Sequence, residues 1–279
     1  MVIWIVGAGT MGAGLAETAL ASGHQVVLTD PDRDARIRAE ERVRRGLARS
    51  IERGAIPETL DQIFARLTMA ETCSNAQVNW VIEAALEDLF VKQMIFGELD
   101  QRFDASVWLA SNTSSIAISR LKVRAVRHPE RIGGLHFFNP VPRMALVEII
   151  QADDTSPAFG HAARSLVQSL GKTAVMAPDR PGFLVNRIAR PYYLEALRLV
   201  EDQVASLELV DQVMEGAGFP MGPFRVMDLV GVDVNLSVTQ SIYDQTFGDE
   251  RYRPHGLQQR LVERGHLGRK SGRGFYHYG

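Results

Sequence analysis

Cysteine is nearly missing from this chain: Cys73 stands alone among 279 residues. A lone cysteine excludes an internal disulfide framework and any zinc site built on cysteines, and no other metal site is expected. Long apolar runs are missing too, and no stretch approaches the length of a membrane span. Neither sign of charge dominates, with 31 basic against 33 acidic side chains and a formal net charge of -2. That balance gives no electrostatic case for nucleic acid or for an anionic membrane surface as a partner. Lysine is scarce, supplying 4 of the 31 basic residues, so basic surface here is made of arginine. Repeats and low-complexity segments are absent, and residue 2 already opens a strand-like run, which leaves no room for a signal or transit peptide. These absences predict a soluble, cytoplasmic protein of one large or two modest domains.

What is present begins with Val2-Ile3-Trp4-Ile5-Val6, a continuous apolar run of the kind found in a parallel strand covered on both faces. Gly7-Ala8-Gly9-Thr10-Met11-Gly12 follows at once, then a helix-like run from Ala13 to Leu20. This is G-x-G-x-x-G in the strand–turn–helix context that gives it meaning. Gly7 permits the tight turn, Gly9 lets a pyrophosphate approach the backbone, and Gly12 lets helix and strand pack closely. The phosphates would rest on the helix N-terminus, at Thr10 and Met11, where unpaired N–H groups favour anions. Gln25–Thr29 reads as the second strand, and Asp30 ends it at the spacing of a ribose ligand. A carboxylate there accepts from a 2′-hydroxyl and repels a 2′-phosphate, so NAD is expected as cofactor rather than NADP.

A second segment carries acid–base chemistry. Residues 132–148 place His136, Asn139 and Glu148 around a Pro-x-Pro turn between two strand-like runs. Glu148 lies inside Leu146-Val147-Glu148-Ile149-Ile150, where an ionised carboxylate is costly to bury without a partner. A histidine that needs a fixed tautomer is the natural partner, and such a pair makes a general base.

Strand-like and helix-like runs alternate as far as residue 177. Helices are expected over about 33–53, 58–66, 87–102 and 156–170, and strands at 67–69, 80–82, 107–111 and 173–177. This pattern predicts an α/β fold, a Rossmann-type doubly wound and mostly parallel sheet. Two prolines and a glycine in Pro178-Asp179-Arg180-Pro181-Gly182 mark a boundary, giving a dinucleotide-binding domain over 1–180. Beyond it the apolar spacing is helical, which predicts a smaller all-α domain over 181–279, with helices near 185–200, 206–216, 225–231 and 235–246. Several of these look apolar on more than one side, so a homodimer is expected.

Seven motifs occur in order: GAGTMG at 7–12, SNTSS at 111–115, HFFNPVP at 136–142, LVEII at 146–150, PGFLVNR at 181–187, GFPMGPF at 218–224 and GRKSGRGFY at 268–276. On these the chain resembles the short-chain L-3-hydroxyacyl-CoA dehydrogenases, the group that includes bacterial 3-hydroxybutyryl-CoA dehydrogenases. The resemblance covers nearly the whole length. It implies that His136 removes the proton from the 3-hydroxyl as hydride leaves for nicotinamide, and that Glu148 orients the imidazole. It implies that Ser114 hydrogen-bonds the substrate and that Asn186 helps fix the reacting group. Asn139, Glu87, Lys92 and Lys270 match cofactor-side positions. The implied substrate is an acyl-CoA.

Each assignment has a plainer competitor. Glu148 could face water on an edge strand, Asn186 could cap a helix, and Lys92 could be a solvated charge. The family's lysine-rich segment, which holds the CoA phosphates, reads here Arg49-Ser50-Ile51-Glu52-Arg53, without lysine. Arginines can take that role through bidentate contacts. A relative acting on free hydroxy acids, of the gulonate dehydrogenase and lens-crystallin branch, would share fold, cofactor and histidine but not CoA. A non-catalytic NAD-binding protein would be expected to lack His136 or Glu148, and both are present.

Overall fold

Strands without polar alternation must be covered on both faces, and the first half of this chain uses them in that way. The computed structural model describes residues 1–73, 77–122 and 126–279. The chain divides into two units, Met1–Asp179 and Arg180–Gly279. The first runs β1 (Val2–Val6), α1 (Thr10–Ala21), β2 (Gln25–Thr29), α2 (Arg33–Glu52), α3 (Leu60–Phe64), β3 (Leu67–Ala70) and β4 (Trp80–Glu83). It continues through α4 (Leu89–Arg102), β5 (Trp108–Ser111), α5 (Ile118–Leu121), β6 (Ile132–Phe137), β7 (Leu146–Gln151), α6 (Pro157–Ser169) and β8 (Thr173–Pro178).

The eight strands form one sheet in the order β3-β2-β1-β4-β5-β6-β7-β8. Every pairing is parallel except β6 with β7, which are joined through the Pro-x-Pro turn. Strand order reverses at β1, between β2 and β4, and in such sheets ligands gather beyond the strand ends at that switch point. The core of this unit is built from Ile3, Ile5, Leu28, Leu135 and Ile149 on the sheet, with Leu15, Leu20, Val43 and Leu166 from the helices. The fold is the Rossmann type expected from the alternation.

Two local differences from the sequence reading have clear causes. α4 begins at Leu89 rather than Glu87, because the Asp88 carboxylate caps it by accepting from Val91 N at 2.9 Å. Glu87 is thereby left in the preceding loop. The short α5 was not expected, and it depends on a distant cap: Asp179 accepts from Ile118 N at 2.7 Å and Ser119 N at 2.8 Å. Buried polar ties hold other loops. Arg131 pairs with Asp100 at 2.8 Å and donates to the Phe103 carbonyl, while Lys122 reaches Asp154 at 2.6 Å and Thr155 at 2.8 Å.

The second unit is helical: α7 (Val185–Glu201), α8 (Leu207–Gly216), α9 (Pro223–Val230), α10 (Val232–Gln245) and α11 (Gly256–Glu263). Leu194, Leu197, Val210, Phe224 and Met227 form its core. α9 starts at Pro223, two residues earlier than its apolar spacing implied, because buried Asp211 accepts from Phe224 N and Arg225 N. Asp228 on α9 organises the C-terminal segment. Its carboxylate accepts from Phe275 N, Tyr276 N and Tyr278 Oη, each at 2.9 Å. A Cβ at Gly274 would collide with that carboxylate, which accounts for the glycine inside the last motif. Among the described residues no helix is long and apolar enough to cross a membrane.

Asp228→Ala strands three donors at once, and losing a buried acceptor costs roughly 1–3 kcal/mol per unsatisfied group. The variant is expected to lose at least about 2 kcal/mol of stability, read as a lowered urea midpoint with an unchanged slope. An unchanged midpoint would show that the C-terminal segment is not part of the cooperative unit.

Candidate active site

The dinucleotide turn has the geometry its glycines were expected to allow. Gly7 has φ +105°, and a Cβ there would lie 2.6 Å from the Ala84 carbonyl oxygen. A Cβ on Gly12 would collide with the Gly7 carbonyl, whereas Gly9 has nothing within 4 Å of its missing side chain. α1 is capped by Gly9 without any side-chain hydrogen bond, and its first turn, opened by Thr10 and Met11, carries no acid. The helix N-terminus is therefore left to an anion. Asp30 stands just past β2, where its Oδ2 accepts from Ala8 N at 2.8 Å and its Oδ1 from Asp32 N at 2.9 Å. The acid that would bind ribose is thus tied to the phosphate turn.

The acid–base pair is set by strand register. His136 on β6 lies directly opposite Glu148 on β7. Its Nδ1 is 2.6 Å from Glu148 Oε2. β7 lies between β6 and β8, so Glu148 is 0% exposed and no edge-strand carboxylate. A carboxylate can only accept, so Nδ1 is the donor of this bond. The Phe138 ring packs 4.4 Å from the imidazole. Asn112, at the end of β5, accepts from Phe137 N at 2.9 Å and fastens the histidine strand. Lys172 secures the turn that carries Asn139, donating to the carbonyls of Val141 at 2.6 Å and Met144 at 2.8 Å. Burial pushes the Lys172 amine below its ordinary value. Asn139 itself is exposed.

A third group links the two loops at the switch point. Glu83, the last residue of β4, is fully buried. Its carboxylate accepts from Lys92 Nζ at 2.6 Å, Ser111 Oγ at 2.6 Å and Ala85 N at 2.7 Å. Lys92 is 1% exposed, so it is no solvated charge, and it also reaches Glu87 at 3.3 Å. Glu87 in turn accepts from Thr113 Oγ1 at 2.6 Å, Ser114 N at 3.1 Å and Ser115 Oγ at 3.1 Å. Lys92, Glu87 and Ser114, separate motif positions in the sequence, thus form one hydrogen-bonded chain. Its hub, Glu83, escaped the sequence reading. The available signal was an acid ending the apolar run Trp80-Val81-Ile82-Glu83, the same anomaly that drew attention to Glu148.

In the second unit Asn186 is the second residue of α7, whose N-cap is Leu184, and its Oδ1 accepts from Arg190 at 3.3 Å. Lys270 pairs with Asp233 at 2.7 Å. Among the described residues no cluster of His, Cys, Asp or Glu could hold a metal ion.

Comparison with known proteins adds independent support. A family model described as 3-hydroxyacyl-CoA dehydrogenase, NAD binding domain, matches residues 2–180, and the corresponding C-terminal domain matches 182–278. The chain is 42% identical over 275 residues to the 3-hydroxyadipyl-CoA dehydrogenase of Escherichia coli, covering 98% of this chain but 58% of that longer protein. It is 39% identical to the probable 3-hydroxybutyryl-CoA dehydrogenase of Bacillus subtilis, covering 99% of this chain and 96% of the relative. The crystal structure of (S)-3-hydroxybutyryl-CoA dehydrogenase from Ralstonia eutropha superposes with a TM-score of 0.93 at 37% identity, covering 100% and 99% of the two chains.

Burial acts to raise the pKa of Glu87, but the Lys92 charge and the hydrogen bonds from Thr113 and Ser114 outweigh it and hold it below the ordinary 4.5. A depressed carboxylate adds stability that is complete above its unfolded value and is lost as pH falls through the folded one. Glu87→Gln should therefore melt below the wild type at neutral pH, and the gap should close as pH drops below 4.5. Melting temperatures from pH 7 to 3 test this, and a pH-independent gap would mean that the charge of Glu87 is not what binds the loop.

Proposed function

The chain belongs to the 3-hydroxyacyl-CoA dehydrogenase family, both of whose domains it matches in order, and from that premise we propose that it interconverts an L-3-hydroxyacyl-CoA and its 3-ketoacyl-CoA. The observation that carries this reading is the buried His136–Glu148 pair, 2.6 Å apart across the antiparallel strands. The turn at Gly7–Gly12 and the Asp30 carboxylate fit a dinucleotide whose ribose carries a free 2′-hydroxyl. Bound there, NAD supplies the hydride acceptor for the C3 hydrogen.

Nε2 of His136 takes the hydroxyl proton as hydride leaves C3, and it returns the proton in the reverse direction. Glu148 offsets the positive charge that the imidazole acquires, the role a buried Asp serves in a triad. Ser114 holds the substrate oxygen, steadied by Glu87, and the family pattern gives Asn186 a second hold on the reacting group. Asn139 and Lys270 are assigned to the cofactor side, as are Glu87 and Lys92 through the loop they brace. Arg49 and Arg53, both exposed on or beside α2, are the candidates for the CoA phosphates. The relatives' names differ in their acyl group, adipyl in one and butyryl in another.

We also propose a cytoplasmic homodimer seated on the helical unit, where Ile188, Leu209, Val213 and Leu229 are about half exposed or more. Large exposed apolar side chains in one region mark interaction surfaces. Sedimentation should give about twice the 30.9 kDa chain mass, and a monomer at micromolar concentration would refute the dimer.

The first test of the reaction is NADH consumption with acetoacetyl-CoA, with free acetoacetate and NADPH as controls. Turnover is expected only with the CoA ester and NADH. His136→Ala should lower turnover at least about 100-fold, the usual worth of a general base, while NADH binding persists. Unchanged turnover would remove His136 from the mechanism.

A further inference from the structure

Arg190, one turn after Asn186 on α7, is only 5% exposed. A guanidinium taken out of water ordinarily keeps a carboxylate beside it, because an unpaired buried charge costs several kcal/mol. The groups holding this one are neutral. Nη1 donates to the Asn235 carbonyl at 2.9 Å and to Thr239 Oγ1 at 3.4 Å, and Nη2 reaches Asn186 Oδ1 at 3.3 Å. The guanidinium carbon lies 4.9 Å from the centre of the Tyr193 ring. Nε is shut away from water with no acceptor among the described residues, and Nδ2 of the adjoining Asn235 likewise has none. Burial pushes the Arg190 pKa down to about 10, which still leaves it charged at neutral pH.

The distribution of these bonds points to a ligand. Nη1 is committed to the protein, while among the described residues Nε and Nη2, which together form one edge of the planar fork, hold only the long bond to Asn186. That edge is the bidentate half of an arginine, matched to the two oxygens of a carboxylate. It lies beside the residue assigned to the reacting end of the acyl group. We propose that Arg190 receives a second carboxylate at the far end of a short acyl chain, so that the protein prefers dicarboxylic acyl-CoA substrates to monocarboxylic ones. This rests on the dehydrogenase reading and on the place given there to Asn186. A hydrogen-bonding site of this kind rejects a ligand that lacks the matching group, because its buried donors are then left unpaired.

The test compares 3-oxoadipyl-CoA with 3-oxohexanoyl-CoA, which have equal carbon counts and differ at the far terminus, as substrates for NADH-dependent reduction. The wild type should favour the carboxylate-bearing ester at least about tenfold in kcat/KM, chiefly through KM. Arg190→Met should collapse that ratio to about one, and Arg190→Lys should retain part of it, because the charge survives without the fork. A wild type indifferent to the terminus, or a preference that survives Arg190→Met, would overturn the proposal and leave Arg190 as a structural group. Should Arg190→Met fail to fold, competition between unreactive adipyl-CoA and hexanoyl-CoA on the wild type decides: tighter adipyl-CoA supports the proposal and equal affinity overturns it. Reduction of neither ketoacyl ester, nor of acetoacetyl-CoA, would overturn the dehydrogenase reading itself and this inference with it.

Discussion

The proposed chemistry of this protein rests on one cross-strand register. β6 and β7 run antiparallel in a sheet that is otherwise parallel, and that reversal sets His136 and Glu148 face to face in the sheet interior. A slip of one residue would turn either side chain to the opposite face of the sheet. The devices around the pair guard the register: Asn112 grips the end of β6, and Lys172 grips the turn. The turn itself packs on the cofactor helix, where a Cβ at Gly14 would come within 3.0 Å of Val141. His136 is thus fixed relative to the Gly7–Gly12 turn within one unit of the structure.

Charge buried by design recurs throughout. Glu83, Asp211, Asp228 and Glu148 are all closed to solvent, and each accepts from groups distant in sequence. Such groups contribute little net stability compared with well-packed apolar residues. What they supply is position, because each carboxylate fixes the separation of two or three chain segments at once. Glu83 is the clearest case, setting Ser111 and Lys92 at fixed distances beside the backbone that the Gly7 turn touches.

Much of this was legible in the sequence, for reasons that differ by residue. The strands of the first unit announced themselves as unbroken apolar runs, and Gly7, Gly12 and Asp30 as a spacing with a mechanism. His136 and Glu148 could be paired because a polar group inside an apolar run needs an explanation. The bounds of α4 and α9 were harder to read, because their caps, Asp88 and Asp211, compete with the apolar period, and Asp211 acts from another helix. The reach of Asp179 to α5 spans 61 residues and leaves no local trace in the sequence. Glu83 carried a visible signal, yet nothing in the sequence told that its partners would be Lys92 and Ser111.

The scarcity of lysine acquires another meaning once the buried amines are located. Of the four lysines, Lys92, Lys122 and Lys172 are closed off, and Lys270 alone lies largely open, with its side chain 47% exposed. Thioesters acylate accessible amines without any enzyme, and the proposed substrate is a thioester. An arginine-built surface gives the thioester no nucleophile, because guanidinium stays protonated. Against the proposed thioester substrate such a surface offers few accessible amines, Lys270 being the one lysine left largely open.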